Sequence, residues 1–148
     1  MILPTMPRPT DSQLAATPIF ERLSPPDRAQ IAAIAEVRSY APGEAVFREG
    51  DPADVIFTIL SGRVRVTSAG APSDVPDLLE AGDPIADVAA FEGGPYPATG
   101  TVVDPTTCLV IPRVELFQLL ERNPALVRGF VHGLTHRIVQ LTRELRKR

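Results

Sequence analysis

The residues from Gly82 to Val103 have the composition of a segment that brings bare backbone close to a ligand. Within it, an apolar run from Ile85 to Phe91 lies between two turns that contain glycine and proline, and this run is rich in alanine. It is too short for an ordinary helix, but one helical turn with small side chains would leave its backbone N–H groups accessible. Free N–H groups at the start of a helix attract anions such as phosphate. The segment therefore predicts an anion-binding turn, with a tight connection between strands as the alternative.

Few other residues in the sequence suggest chemistry. The G-x-S-x-G, P-loop and dinucleotide-binding motifs are missing, and no Ser/His/Asp set or carboxylate pair stands out. His132 and His136 are one helical turn apart and could hold a metal ion from one face of a helix. No further Cys or His lies near them in the sequence. We therefore predict no catalytic residues and no metal, and interpret both histidines as neighbours of a helix seam.

The elements that must position the Gly82 to Val103 segment are short β-strands. We interpret Ser61-Gly62 as the turn of a hairpin and Asp104-Pro105 as a turn between two strands. Short strands with helices only at the ends predict a mainly β fold. The predicted class is a jelly-roll (double-stranded β-helix) sandwich with an N-terminal helix and a long C-terminal dimerisation helix. The predicted strands are 37–40, 45–48, 55–60, 63–67, 75–79, 99–103 and 107–111.

Helices are predicted on both sides of the strands. Ser24 followed by proline is a helix start and predicts a helix from about Pro25 to Ala35. Another helix begins at Pro112 and stops at Asn123-Pro124, from which a long helix runs to near the end of the chain. Apolar residues of this last helix recur at intervals of three and four residues, which is close to the spacing of a coiled-coil seam. The seam consists of Phe130, Leu134, Ile138 or Leu141, and Leu145.

The length of 148 residues suits one domain with its own core. We divide it into a flexible N-terminal lead (1–16), the β-sandwich (17–122) and the C-terminal helix (123–148), and a short turn or helix could form from Gln13 to Phe20. The single cysteine, Cys108, excludes an intramolecular disulfide and is predicted to be a buried strand residue. No apolar run is long enough to cross a bilayer and no export signal is evident, so we predict a cytoplasmic protein.

From Pro18 to about Glu144 the order of motifs resembles the cyclic-nucleotide-binding domain, the sensory domain of the catabolite-activator and Fnr type of bacterial regulators. The resemblance covers nearly the whole chain, and the family's fold is the predicted one. The motifs that carry it are Pro18-Ile-Phe20, Tyr40-Ala-Pro-Gly-Glu44, Phe47-Arg-Glu-Gly-Asp-Pro52, Ile59-Leu-Ser-Gly-Arg-Val-Arg65, Gly82-Asp83 and Asn123-Pro124.

The Gly82 to Val103 segment resembles the family's phosphate-binding cassette, in which a Glu binds the ribose 2′-hydroxyl and an Arg binds the cyclic phosphate. Asp87 stands at the Glu position and Pro97 at the Arg position. Thr142 lies where the family places purine contacts from the last helix, and Tyr96 could stack on a base or cover the mouth of the pocket. The resemblance thus implies the following ligand-binding residues: Ala86, Asp87, Val88, Ala89, Pro97, Ala98, Thr99 and Thr142.

The proline at position 97 changes the expected ligand chemistry, because proline offers a phosphate neither a charge nor a donor. Losing a charged hydrogen-bond partner costs about 1.5–3 kcal/mol, roughly ten- to a hundredfold in affinity. Weakened binding, a different ligand and no ligand all remain open. Arg63 and Arg65, which alternate with valines on a predicted strand, could replace the missing arginine or could be solvated surface charges.

The resemblance implies a regulatory or sensory domain, not an enzyme, whose ligand is a cyclic nucleotide (cAMP or cGMP) or another small anion. It also implies a homodimer through the C-terminal helix and an effector protein, with no membrane partner. The alternative is a ligand-free module for protein interaction or dimerisation. A cupin-like enzyme ranks third, because no histidine lies on a predicted strand. Since the sequence ends at the helix that precedes the DNA-binding domain of related transcription factors, we expect no direct reading of DNA.

Overall fold

A computed structural model of the chain describes residues 7–17, 20–69, 77–81, 84–85 and 94–146. Its elements form an antiparallel sheet with helices at both ends, which is the predicted mainly β class. The elements in chain order are α1 (Asp11–Ala15), α2 (Pro25–Ile34), β1 (Glu36–Tyr40), β2 (Ala45–Phe47), β3 (Val55–Thr67), β4 (Asp77–Leu79), β5 (Pro84–Ile85), β6 (Thr99–Pro112), α3 (Arg113–Arg122) and α4 (Pro124–Arg146).

Two long antiparallel strands, β3 and β6, organise the sheet. They pair from Val55 opposite Pro112 to Thr67 opposite Thr99. Each half of each strand has its own second neighbour: β1 and β2 pair with the two halves of β6, whereas β5 and β4 pair with the two halves of β3. The short strands therefore flank one continuous two-stranded ladder.

This ladder corrects two predicted turns. Ser61-Gly62 does not turn a hairpin, and Asp104-Pro105 does not separate two strands, because both lie inside the long strands and opposite each other, with Arg63 paired to Asp104. The register shifts at this point, and Gly62 has a φ of 100°. Residues that favour turns also favour β-bulges, and here they bend a continuous ladder.

The core is one cluster of buried side chains from the strands and the helices. Cys108 is fully buried on β6, as predicted, and burial raises the pKa of its thiol to about 12. Val64 is buried while Arg63 and Arg65 are exposed, which confirms the alternation predicted for this strand. The largest fully buried side chains are Leu14, Phe20, Ile31, Ile56, Ile59, Val64, Leu109, Val110, Ile111, Leu116 and Leu126.

The N-terminal helix α1 lies within residues 1–16, for which the sequence predicts a flexible lead. That prediction is wrong for Asp11–Ala15, because Thr10 caps this helix with a capping box and Leu14 is fully buried. Arg28 on α2 also contacts α1, since its guanidinium forms an ion pair with Asp11 at 2.7 Å. Three prolines in the first nine residues concealed this short helix.

The other helices begin and end as predicted. The side chain of Ser24 accepts a hydrogen bond from the backbone N–H of Asp27, and proline occupies the first turn of α2. At the other end, Asn123 separates α3 from α4. Among the described residues, no helix is both long and apolar enough to cross a membrane.

Candidate ligand-binding site

The first half of the predicted ligand set, Ala86, Asp87, Val88 and Ala89, lies outside the described residues. The residues on either side of it are placed. Ile85 pairs with Phe57 on β3, and the carbonyl of Gly94 accepts a hydrogen bond of 3.3 Å from the N–H of Ala53. Both flanks of the segment therefore lie beside the start of β3.

The backbone just before Pro97 is held by the turn that precedes β3. The N–H of Gly50 donates to the carbonyl of Tyr96, and the N–H of Tyr96 donates to the carbonyl of Asp51, both at 2.9 Å. Gly50 has a φ of 88°, a conformation that glycine adopts without strain. The turn at Gly50, within the motif from Phe47 to Pro52, thus positions the second half of the predicted site.

Tyr96 belongs to the core. Its ring is 5% exposed and packs beside Phe47 and Phe57, with centroid distances of 5.2 and 6.3 Å. Its hydroxyl donates a 3.0 Å hydrogen bond to the carbonyl of Val55. Burial raises the pKa of this hydroxyl. Of the two alternatives given for Tyr96, this burial argues against stacking on a base.

Pro97, Ala98 and Thr99 lead into β6. Pro97 is exposed, Ala98 is buried, and the Thr99 hydroxyl accepts a 2.9 Å hydrogen bond from the backbone N–H of Glu49. The Glu49 carboxylate in turn accepts a 2.9 Å bond from the hydroxyl of Ser68. The Thr99 hydroxyl therefore has a structural partner, a contact that the sequence did not reveal.

The two strand arginines do not take over the role of the missing cassette arginine in any contact that the structure describes. Arg63 forms an ion pair with Asp104, directly across the ladder. Arg65 is exposed on the same side of the strand. These observations favour the interpretation of both as surface charges.

Thr142 lies near the C-terminal end of α4 and is exposed. Three of the other exposed residues on this helix are valines: Val127, Val131 and Val139 are 38%, 52% and 40% exposed. The side chains of the predicted seam from Phe130 to Leu145 are outside the described ones. Near its start, α4 is fixed to the domain by Leu126, which is fully buried.

A pocket of about 380 Å³ opens beside Tyr96. This volume lies in the range of small-molecule sites, about 300–1,000 Å³. The buried rings of Phe47, Phe57 and Tyr96 line it together with three exposed charged residues, Arg48, Asp51 and Asp54. Sequence reasoning missed this pocket, although five of these six residues lie between Phe47 and Phe57.

Comparison with known proteins gives one family match that spans more than half of the chain. The family described as "Cyclic nucleotide-binding domain" matches residues 37–123. This range runs from the second residue of β1 to the residue that separates α3 from α4. The match is to a binding domain and not to a catalytic one.

Individual relatives agree with this match. The chain is 38% identical over 126 residues to a cAMP-dependent protein kinase regulatory subunit of Mycosarcoma maydis, covering 84% of this chain and 23% of the relative. It is 24% identical over 134 residues to the cyclic AMP receptor protein of Thermus thermophilus, covering 89% of this chain and 62% of the relative. The chain thus spans less than two thirds of either protein.

The fold also matches solved structures. The N-terminal domain of a transcriptional regulator from Streptomyces coelicolor superposes with a TM-score of 0.71 at 24% identity. The match covers 88% of this chain and 95% of that domain. The match therefore extends over nearly the whole of that domain.

Proposed function

The chain belongs to the cyclic nucleotide-binding domain family, and on that premise we propose that it is a regulatory domain whose ligand binding is altered because Pro97 stands at the cassette arginine position. In this proposal the domain is not an enzyme, acts in the cytoplasm and passes a signal to an effector protein. Its ligand is a cyclic nucleotide, or another small anion, held without an arginine.

The main observation behind this proposal is the structural environment of Pro97. Its side chain is exposed, and the backbone before it is fixed by the hydrogen bonds of Tyr96 to Gly50 and Asp51. The fold thus keeps position 97 in a defined place, while the residue there can neither donate a hydrogen bond nor carry a charge. A phosphate held at this place would lose about 1.5–3 kcal/mol compared with an arginine-bound one.

The signal in this proposal passes through α4. Gly129 lies so close to Leu23 that a Cβ built on the glycine would come within 2.6 Å of the leucine side chain. The start of α4 therefore packs tightly on the segment that joins α1 to α2. A ligand that binds more strongly to one position of α4 than to another would shift the helix between the two.

Calorimetry tests the proposal directly. We expect cAMP, cGMP or a cyclic dinucleotide to bind saturably and weakly to the full chain, and Asp87→Ala to weaken that binding further. Glu121→Gln, which changes an exposed residue on α3, serves as the control. Absence of heat with all these compounds would contradict ligand sensing and favour the second function below.

The exposed valines of α4 favour a second candidate function, that of a dimerisation module with no ligand. Val127 and Val131 are exposed. In place of Phe130, they extend the later residues of the predicted seam toward the start of the helix. The extended series alternates in steps of four and three, the spacing of a coiled-coil heptad. Its members are Val127, Val131, Leu134, Ile138, Leu141 and Leu145.

Oligomeric state tests this second function. Val131→Glu would place a charge in the seam and convert a dimer to a monomer in sedimentation experiments. Arg128→Glu, an exposed change outside the series, should leave the dimer intact. A wild-type chain that sediments as a monomer would exclude the dimerisation module.

A further inference from the structure

The segment that joins α1 to α2 carries Leu23, against which α4 packs. Leu23 is 3% exposed, and a Cβ built on Gly129 would lie 2.6 Å from its side chain. Leu126, one helical turn before Gly129, is fully buried. These two residues lie on the same face of α4, since residues three apart are neighbours on a helix surface. The first turns of α4 therefore contact the domain through this face.

Beyond Gly129, every side chain of α4 that the structure describes is exposed. These side chains are Val131, His132, Thr135, Val139, Thr142, Arg143 and Arg146. Arg143 lies about 21 Å from Gly129 along the helix axis, at roughly 1.5 Å per residue. A rotation of about 10° at Gly129 would therefore move Arg143 by about 4 Å. A small change at the contact with Leu23 thus has a large effect on the far end of α4.

The backbone of Leu23 is held by Arg28 on α2. The Nη1 atom of its guanidinium donates a 2.6 Å hydrogen bond to the carbonyl of Leu23. The other two guanidinium nitrogens donate to the two oxygens of the Asp11 carboxylate, at 2.7 and 3.3 Å. The guanidinium thus joins α1, α2 and the segment between them, and we call these contacts the Arg28 bridge.

The Arg28 bridge has a partly shielded cation and a defined geometry. The side chain of Arg28 is 12% exposed, whereas that of Asp11 is 60% exposed. The hydrogen bond from Arg28 lowers the pKa of the Asp11 carboxyl, so this group stays charged at neutral pH. The planar guanidinium can bind a carboxylate with two nitrogens and a carbonyl with the third. These residue types therefore suit a fixed support for Leu23.

We propose that Arg28 is the positioning residue of α4. Its guanidinium joins the Asp11 carboxylate to the Leu23 carbonyl, and this fixes the Leu23 side chain against Gly129. Without the Arg28 bridge, α4 would adopt a different or broader set of orientations on the domain. This placement of α4 requires no ligand, whereas its use in signalling rests on the proposed function, in which a ligand shifts the helix.

Distances between two spin labels on the ligand-free full chain measure the orientation of α4. The labels are attached at Arg65→Cys in β3 and Arg143→Cys in α4, both exposed positions, while the fully buried Cys108 stays unlabelled. Dilution with unlabelled chain keeps the measured distance within one chain. We expect Arg28→Gln to shift or broaden the distance distribution by about 4 Å. Asp11→Asn should give a smaller change, because the bond to the carbonyl remains.

Gly43→Ala is the control for loss of stability. It strains the turn between β1 and β2, where no atom lies within 4 Å of the added Cβ, so it should leave the distance unchanged. If the Arg28 bridge merely stabilised the fold, Arg28→Gln would resemble this control. The proposal is overturned if either bridge variant has the wild-type distribution, or if Gly43→Ala changes it as much as Arg28→Gln. Because no ligand is present, failure to bind cyclic nucleotides would contradict the proposed function without affecting this test.

Discussion

The bulge at Gly62, inside the sheet, and the bend at Pro97, just before β6, are both irregular, but the fold constrains them to very different degrees. At Gly62 the φ is 100°, and an added Cβ would lie 2.5 Å from the carbonyl oxygen of Pro105 and still closer to the side chain of Thr106. At Pro97 the side chain is exposed, although its backbone neighbours are held. The contrast teaches that packing restricts the residue type at position 62 but not at position 97, where we propose that the ligand chemistry has changed.

The largest effect is expected at the bulge. Gly62→Ala combines an unfavourable backbone conformation with overlap against β6, so it should lower the free energy of unfolding by about 3–5 kcal/mol. Chemical denaturation of the purified variant measures this loss.

Gly43→Ala is the matched control for Gly62→Ala. Gly43 has a φ of 92°, but no atom lies within 4 Å of an added Cβ. At this position only backbone strain lowers the free energy of unfolding, by about 1–3 kcal/mol. If both variants lost the same stability, overlap with β6 would not be what fixes the bulge.

A second effect arises from Cys108 on the same ladder. The pKa of its thiol is raised by burial from 9.0 to about 12 in the folded chain. Between these values the unfolded chain has released a proton that the folded chain keeps, so stability is fully present below about pH 9 and falls as the pH rises. The fall attributable to this group is about 1.4 kcal/mol per pH unit.

Cys108→Ala should remove this part of the pH dependence. Because Tyr40 and Tyr96 also have raised pKa values and contribute to the alkaline fall, the informative quantity is the difference in slope between variant and wild type. Urea denaturation across the alkaline range measures it. Identical slopes would show that the thiol ionises as easily in the folded chain as in the unfolded chain.

A smaller effect is expected near the turn. Tyr96→Phe keeps the ring packed against Phe47 and Phe57 but removes the hydrogen bond to the Val55 carbonyl, which should cost about 1 kcal/mol. Tyr96→Ala, which also removes the ring, should cost several times more. Equal losses for the two variants, measured by thermal unfolding, would mean that the ring contributes no packing.

Much of the fold could be predicted from the sequence because caps and periodic apolar residues act locally. Ser24 and Asn123 mark helix boundaries that the structure confirms. The ladder could not be predicted in full, because a glycine or proline that bends a strand has the same local composition as one that turns it. Long-range pairing, such as that of Arg63 with Asp104, distinguishes a bulge from a hairpin, and such contacts are remote in sequence.

The site was predicted less completely than the fold. The motif from Phe47 to Pro52 and the proline at 97 were recognised, since both depend on residue type at a defined spacing. The burial of Tyr96 and the hydrogen bond from Glu49 to Thr99 depend on the approach of two distant segments, which composition does not encode. Residues 86–89 stay a prediction.

The central claim is that position 97 controls the ligand chemistry of an otherwise intact family scaffold, and the most direct test is a gain of function. Pro97→Arg and the uncharged control Pro97→Gln should both unfold within about 0.5 kcal/mol of wild type, because the side chain is exposed. By calorimetry with cAMP, we predict that the arginine variant binds about ten- to a hundredfold more tightly than the glutamine variant. Equal affinities of the two variants would contradict the account.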